Sequence, residues 1–201
     1  MRFDTPMTYY LDNGLTICIV TTNRLHLPYL AKLENNAWPE NPNESDLERF
    51  LDGPMRNGFT VLGKFGSERF YTYAGFANIQ RNQRGYHIFD LVVGKRFRRQ
   101  KVGMALINHI RNILALAARE SDPFTGKPIA DPDEKAVSVF VQETNLNGQL
   151  FLQKAGFVAE AIRKNAFGGR DAYLFRWELG NWEASKEYQD AKREQLFTIG
   201  F

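Results

Sequence analysis

The chain has 201 residues, of which 43% are hydrophobic and 24% are charged, so a disordered or fibrous protein is excluded and one domain with appendages is expected. No apolar run approaches the roughly 20 residues that a membrane-spanning helix needs, and the N-terminus lacks the pattern of a secretory signal. The single cysteine, Cys18, cannot form an internal disulfide. These features predict a cytoplasmic location.

The net charge of +3 is unevenly distributed. Residues 81–111 hold eight basic side chains against one acid, Asp90, and the rest of the chain holds 18 basic against 22 acidic residues. The segment is therefore +7 on a remainder of −4. This pattern predicts one local anion-binding surface on an otherwise acidic protein.

The first half of the chain reads as strands with two helices between them. A turn at residues 12–14 predicts a hairpin within residues 8–21. A helix is expected at 25–35, and Ser45 with Glu48 three residues later predicts the capping box of a second helix. Strands are then expected at about 58–65, 70–80 and 85–94.

A basic loop from Gly94 to Arg99 follows the last of these strands, and apolar residues at every third or fourth position predict a long helix over about 100–119. Residues 120–135 are rich in Pro, Gly and Asp and read as an exposed loop. A strand at 136–141, a helix at 146–154 and strands at 157–165 and 171–179 complete the pattern. This order predicts an α/β fold with a mixed sheet of about seven strands flanked by helices. We expect a single domain over residues 1–180 and a helical tail over 181–201.

The start of the long helix has the features of a phosphate site. A helix N-terminus presents unpaired backbone N–H groups and a partial positive charge, which together favour an anion. Gly103 and Ala105 are small enough for a ligand to approach the backbone. The glycine motifs of Walker and Rossmann sites are absent.

This segment resembles a known family. Gln100, Gly103 and Ala105 fit the Q/R-x-x-G-x-G/A signature of the GCN5-related N-acetyltransferases (GNAT), and the run from Asn145 to Gly156 and Phe157 is similar to the family's second signature. Residues 161–165 and 171–175 resemble the final hairpin of the RimI-like and N-terminal acetyltransferase branch. The resemblance covers about residues 15–179 and implies the GNAT acyl-CoA N-acyltransferase fold.

The resemblance implies acetyl-CoA as cosubstrate, with no metal. Leu91, Val92 and Val93 would bond the pantetheine arm through their backbone groups. The residues implied around the pyrophosphate are Arg98, Arg99, Gln100, Lys101, Val102, Gly103, Met104 and Ala105. Asn145 and Phe151 complete the coenzyme set, although the residues alone favour a helix N-cap at Asn145 equally.

The implied reaction is direct attack of an amine on the acetyl group in a ternary complex. RimI-like enzymes commonly use a Glu five residues before the Asn and a Tyr seven residues after it, and this chain has Phe140 and Leu152 there. His87 is the main candidate base, because an imidazole titrates near neutral pH; a structural histidine is the alternative. Asp90 is a further candidate base, and Tyr86 and Tyr173 are candidate proton donors. A water chain without a dominant base also stays open.

The acceptor is a primary amine of a protein N-terminus, a lysine or a small molecule. Acids within residues 34–52 would attract a cationic amine, or would form only a solvated helix face. The apolar end of the tail predicts docking on this domain or a homodimer contact. The alternatives are a catalytically degenerate acyl-CoA-binding module acting as sensor or scaffold, and, less favoured, nucleic-acid binding through the +7 segment. Neither a membrane nor a metal is expected as a partner.

Overall fold

A computed structural model describes residues 6–37, 44–53, 56–82, 85–119 and 136–180. The described residues divide into two compact units, one within residues 1–82 and 87–110 and the other within residues 83–86 and 111–201. The predicted loop at 120–135 and the tail from 181 lie outside the described residues. The single domain, the helical tail and its homodimer contact therefore stay predictions. Within the described ranges, no helix is long and apolar enough to cross a membrane.

The first unit is built on strands that follow one another in chain order. Strands β1 to β4 pair antiparallel with their neighbours, and β5 lies next to β4. Short 3₁₀ helices at Arg24–His26 and Lys95–Phe97 precede α1 and α3. The elements of this unit, some of whose ends belong to the second, are β1 (Met7–Tyr10), β2 (Leu15–Thr21), α1 (Leu27–Ala37), α2 (Glu44–Leu51), β3 (Arg56–Phe65), β4 (Thr72–Asn82), β5 (Gly85–Val93) and α3 (Val102–Arg119).

Helices α1 and α2 cover one face of this unit's strands. Leu30 of α1 and Leu47 of α2 are buried in one cluster with Phe76 of β4 and Val92 of β5. On α3, His109 packs edge-on against Phe59 of β3, with ring centroids 4.8 Å apart. The end of β5, where the site is expected, is thus anchored by a packed apolar core.

The second unit holds three antiparallel strands in the order β6, β8, β7. Its elements are β6 (Ala136–Gln142), α4 (Leu146–Lys154), β7 (Val158–Phe167) and β8 (Arg170–Glu178). Arg111, from the later part of α3, is 3% exposed and donates to the Ala155 carbonyl at the end of α4. Its guanidinium lies 4.6 Å from the Trp177 ring of β8. A buried cation thereby joins α3, α4 and β8.

The predicted elements are confirmed within a few residues of their ends, and α4 matches at both ends. The cap predicted at Ser45 is wrong, because α2 begins at Glu44. A capping box occurs instead before α1: the Asn23 side chain accepts from the Leu25 N–H, and His26 Nδ1 accepts from the Asn23 N–H at 3.3 Å. Asn is as good a cap as Ser, so Asn23 also carries a capping signal.

Candidate active site

The end of β5 is held against β4 by close backbone contacts. The Gly94 N–H donates to the Ala74 carbonyl at 2.8 Å, and a Cβ placed on Gly75 would lie 2.5 Å from the Val92 carbonyl oxygen. The Val92 carbonyl therefore faces β4. Because backbone groups alternate sides along a strand, the N–H and C=O groups of Leu91 and Val93 point away from β4. Of the three residues expected to bond pantetheine, these two carry suitably directed groups.

The turn at residues 98–101 leads from β5 into α3 with an unusual backbone. Arg99 and Lys101 adopt left-handed conformations, with φ of 61° and 62°. Such angles cost free energy in non-glycine residues and cluster at functional sites. In the described part of the chain, the N–H groups of residues 99–104 make no hydrogen bond to a backbone carbonyl. Left-handed residues beside a helix N-terminus form a concave set of N–H donors, which suits an anion.

The basic side chains around this turn differ in their partners. Arg98 Nε donates to the Val93 carbonyl at 3.1 Å. Arg96 pairs with Glu68, and its guanidinium lies 5.0 Å from the Phe65 ring. Lys95 and Arg99 are exposed and form no ion pair with any described residue. Arg99 is therefore the cation in the turn that is available to a phosphate.

Side chains within the turn and first helical turn divide between interior and surface. Val102 and Ala105 are buried, at 1% and 8% exposure, so they can offer a ligand only their backbone. Gly103, Met104 and Gln100 are half-buried. The set predicted for the pyrophosphate is thus contiguous in space, and its N–H donors and exposed cations fit a coenzyme carrying several phosphates.

His87 lies on β5 against an aromatic group. Its ring packs edge-on against Phe89 at 4.9 Å, and Phe89 contacts Phe50 of α2 at 5.3 Å. The imidazole is half-buried, and burial lowers its pKa below the ordinary value. A histidine with a lowered pKa is neutral at physiological pH, which is the state a general base requires.

Asp90 is half-buried on the same strand and is bonded to a second strand. Its Oδ2 accepts from Asn78 Nδ2 of β4 at 2.8 Å, and Asn78 is only 1% exposed. Burial raises the pKa of Asp90, and the bond from Asn78 opposes that rise in part.

Tyr86, at the start of β5, is only 6% exposed, and its carbonyl accepts from the Ser138 hydroxyl at 3.4 Å. This burial makes its hydroxyl a poor candidate for proton transfer with a soluble amine. The roles of Tyr86, His87 and Asp90 stay predictions.

Asn145 caps helix α4. Its Oδ1 accepts from the Gly148 N–H at 3.0 Å, so the capping role, one of the two that the sequence left open, is confirmed. A Cβ on Gly148 would lie 2.8 Å from Asn145 Nδ2, so the glycine makes room for the cap. The amide Nδ2 makes no hydrogen bond among the described residues, and Phe151, on the same helix, is half-buried. A donor is thus left over for a ligand, while coenzyme contact by Asn145 and Phe151 stays a prediction.

The positions that lack the RimI-type acid and base are occupied by packing side chains. Leu152 is 4% exposed. Phe140 is half-buried on β6, and the guanidinium of Arg163 from β7 lies 5.5 Å from its ring. Neither Phe140 nor Leu152 can move a proton, as the sequence indicated.

The acids expected to attract a cationic acceptor are only partly described. Glu48 and Asp52 both approach Arg24, at 3.6 Å and 3.2 Å. An acid paired with a neighbouring arginine contributes less field at a distance. No group of three or more potential metal ligands occurs among the residues that the structure describes.

Sequence reasoning missed four residues that shape this site. Gly75 admits the Val92 carbonyl, and Asn78 holds Asp90. Asp12 and Asn13 of the first hairpin turn contact the turn at 98–101. Each lies at least 12 positions from its partner, so no local sequence motif could have revealed these contacts.

Three solved structures illustrate the similarity of the fold. The ribosomal-protein-S18-alanine N-acetyltransferase from Escherichia coli has a TM-score of 0.63 at 18% identity, covering 81% of this chain and 94% of its own. Arabidopsis thaliana NAA60 in complex with acetyl-CoA has a TM-score of 0.65 at 14% identity, covering 82% of this chain and 99% of its own. A mutant spermidine N-acetyltransferase SpeG from Vibrio cholerae has a TM-score of 0.60 at 16% identity, covering 85% of this chain and 97% of its own.

These likenesses confirm the expected fold class, a mixed sheet flanked by helices, with eight described strands instead of about seven. No curated protein matches the sequence. The sequence model described as the acetyltransferase (GNAT) family, whose members use acetyl-CoA as cosubstrate, matches residues 27–118. The matched range includes β5, the turn at 98–101 and the start of α3. Residues 27–118 thus match the GNAT acetyltransferase family, and the fold agrees with that match.

Proposed function

We propose that this protein transfers an acetyl group from acetyl-CoA to a primary amine by direct attack in a ternary complex. The observation that carries the proposal is the turn at 98–101, where Arg99 and Lys101 are left-handed and the following N–H groups lack backbone partners. It lies within the range matched by the family model. Strained non-glycine backbone at a helix N-terminus is typical of an anion site, and coenzyme A is a multiply charged anion.

The chain's own groups would bind and orient the two substrates. N–H groups of residues 99–104 and the guanidinium of Arg99 would hold phosphate oxygens, and backbone groups of Leu91 and Val93 would align the arm that leads to the reacting carbon. Bound acetyl-CoA supplies the acetyl group as a thioester. A backbone N–H near that carbon would stabilise negative charge on its oxygen.

His87 is the group we propose to take a proton from the amine. Because its pKa is lowered from the ordinary value of 6.5, the imidazole stays neutral, and therefore able to accept a proton, at pH values below 6.5. Because the neutral form is the active one, protonation of His87 should lower kcat/KM only on the acid side of that value. Asp90, whose pKa is raised, is the second candidate for proton transfer, and Tyr86 is the third.

The acceptor we propose is the primary amine of a protein N-terminus, a lysine or a small molecule. Three acceptors separate these classes: a peptide with a free N-terminus, a peptide with a blocked N-terminus and one lysine, and spermidine. Each is incubated with isotopically labelled acetyl-CoA and analysed by mass spectrometry for one added acetyl group. We expect label on at least one acceptor, with stoichiometric release of free CoA thiol.

The His87→Gln variant tests the proposed base. We expect kcat to fall by at least about 10²-fold, which is the usual contribution of a positioned base, while the acetyl-CoA Kd stays within about twofold. Asp90→Asn and Tyr86→Phe are the matched variants for the other candidates, and Tyr10→Phe, at an 82% exposed position, is the control. Wild-type protein that binds acetyl-CoA but labels no acceptor would favour a catalytically degenerate binding module.

A further inference from the structure

The first hairpin turn, between β1 and β2, lies against the turn at 98–101. Lys101 Nζ is 2.7 Å from Asp12 Oδ2, and Asn13 Nδ2 donates to Gln100 Oε1. The same hairpin turn is also held by the residue that follows β3, because the Gly66 N–H donates to the Gly14 carbonyl at 2.9 Å. Two adjacent residues of the hairpin thus contact two adjacent residues of the turn.

The contact sets a negative charge beside donors that suit an anion. Asp12 and Lys101 are both exposed, with side-chain exposures of 89% and 68%. The bond from Lys101 and its charge hold the pKa of Asp12 below its usual range. Asp12 is therefore ionised in the folded protein at ordinary pH, and its carboxylate forms an ion pair with the ammonium group of Lys101.

We propose that Asp12 is the resting counter-ion of Lys101, which the coenzyme phosphate displaces, and that it thereby weakens coenzyme binding. This inference rests on the proposed function, since it requires phosphate at the turn. An exposed ion pair contributes little stability, so exchanging one anionic partner for another is inexpensive. Asp12 would act on affinity through Lys101 and is therefore not a catalytic residue.

Asn13 has the opposite role in the same contact. Its amide carries no charge, and it holds the Gln100 side chain between the two left-handed residues Arg99 and Lys101. Losing it should loosen the turn without removing any repulsion of phosphate. Substitutions of Asp12 and of Asn13 should therefore change the coenzyme Kd in opposite directions. This difference distinguishes electrostatic competition by Asp12 from positioning by Asn13.

The test measures acetyl-CoA Kd by calorimetry for the full chain. We expect Asp12→Asn to lower Kd by about threefold to tenfold at low ionic strength, where an exposed charge is least screened, and to have little effect at about 0.5 M salt. In a Lys101→Met background the same substitution should change Kd by less than about twofold, because the competition runs through that ammonium. Asn13→Ala should raise Kd.

Asp52→Asn is the matched control. Asp52 is also exposed and paired with an arginine, at 3.2 Å from Arg24, so its loss changes net charge equally. We expect Kd within about twofold of wild type. An unchanged or raised Kd in Asp12→Asn, or an equal decrease in Asp52→Asn, would overturn the inference. Wild-type protein that binds no acetyl-CoA would instead overturn the proposed function.

Discussion

His109 is one of the few polar side chains buried in the core of the described residues. His109 is 6% exposed in α3, and its Nδ1 finds no hydrogen-bond partner among the described residues. Burial lowers its pKa to about 4. In the unfolded chain the pKa would be near 6.5. The proton is thus bound more tightly by the unfolded state, and this difference makes stability depend on pH.

The free energy of unfolding should fall as the pH drops from about 6.5 to about 4, because in this range His109 is protonated in the unfolded chain but stays neutral in the folded protein. At 1.36 kcal/mol per unit, the loss approaches about 3 kcal/mol when the pH is below both values. His109→Leu places an apolar side chain next to Phe59 and cannot titrate. Urea unfolding at pH 7 and at pH 4.5 should show a smaller difference for the variant than for wild type. An equal difference in both proteins would refute the assignment.

At the same scale, the sequence predicted the strand that carries two of the candidate residues. Alternation along β5 correctly put His87 and Asp90 within a strand that is partly buried. It could not show that Asn78 bonds Asp90, because that bond depends on the pairing of β4 with β5. Nor could it show that Phe140 lies under Arg163, which depends on β8 separating β6 from β7.

At the scale of elements, local signals predicted most helices and strands, because apolar periodicity and turn residues act over short distances. The turn at 98–101 is the exception. Left-handed backbone is usually signalled by glycine, and here Arg and Lys adopt it instead. The sequence therefore predicted a basic loop at the right place without its backbone geometry. Such strain persists only when surrounding contacts over-determine it, and the contacts of Asn13 and Asp12 are candidates for that role.

Helix α4 offers a test of whether its cap also binds coenzyme. Asn145→Ala removes the acceptor for the Gly148 N–H and should lower the free energy of unfolding by about 1 kcal/mol. Asn145→Asp keeps an acceptor for that N–H, so stability should stay near that of wild type. It also replaces the amide donor by a negative charge, so the acetyl-CoA Kd should rise. Chemical unfolding and calorimetry on both variants check this. A Kd unaffected by Asn145→Asp would leave the residue as a cap alone.

At the scale of the whole molecule, the structure changes what the +7 segment means. Arg111 is buried against Trp177, and Arg96 and Lys101 are paired with Glu68 and Asp12. The charge available to a ligand is thus smaller than the count of basic residues and lies largely at the turn. A long polyanion needs a row of exposed cations to release many counterions. A compact, multiply charged ligand needs only a few at one place.

Salt dependence distinguishes these two cases. We expect the acetyl-CoA Kd to rise by several-fold between about 50 and about 500 mM salt, since the interacting charges are exposed and are progressively screened. Arg99→Gln should flatten this dependence, because Arg99 is an exposed cation of the turn that has neither an ion pair nor a side-chain hydrogen bond among the described residues. Arg163→Gln, which removes an equal charge from β7, should leave it unchanged. The same titrations with duplex DNA should show only weak binding at physiological salt. A steeper salt dependence and tighter binding for DNA than for acetyl-CoA would show that the segment serves a nucleic acid instead.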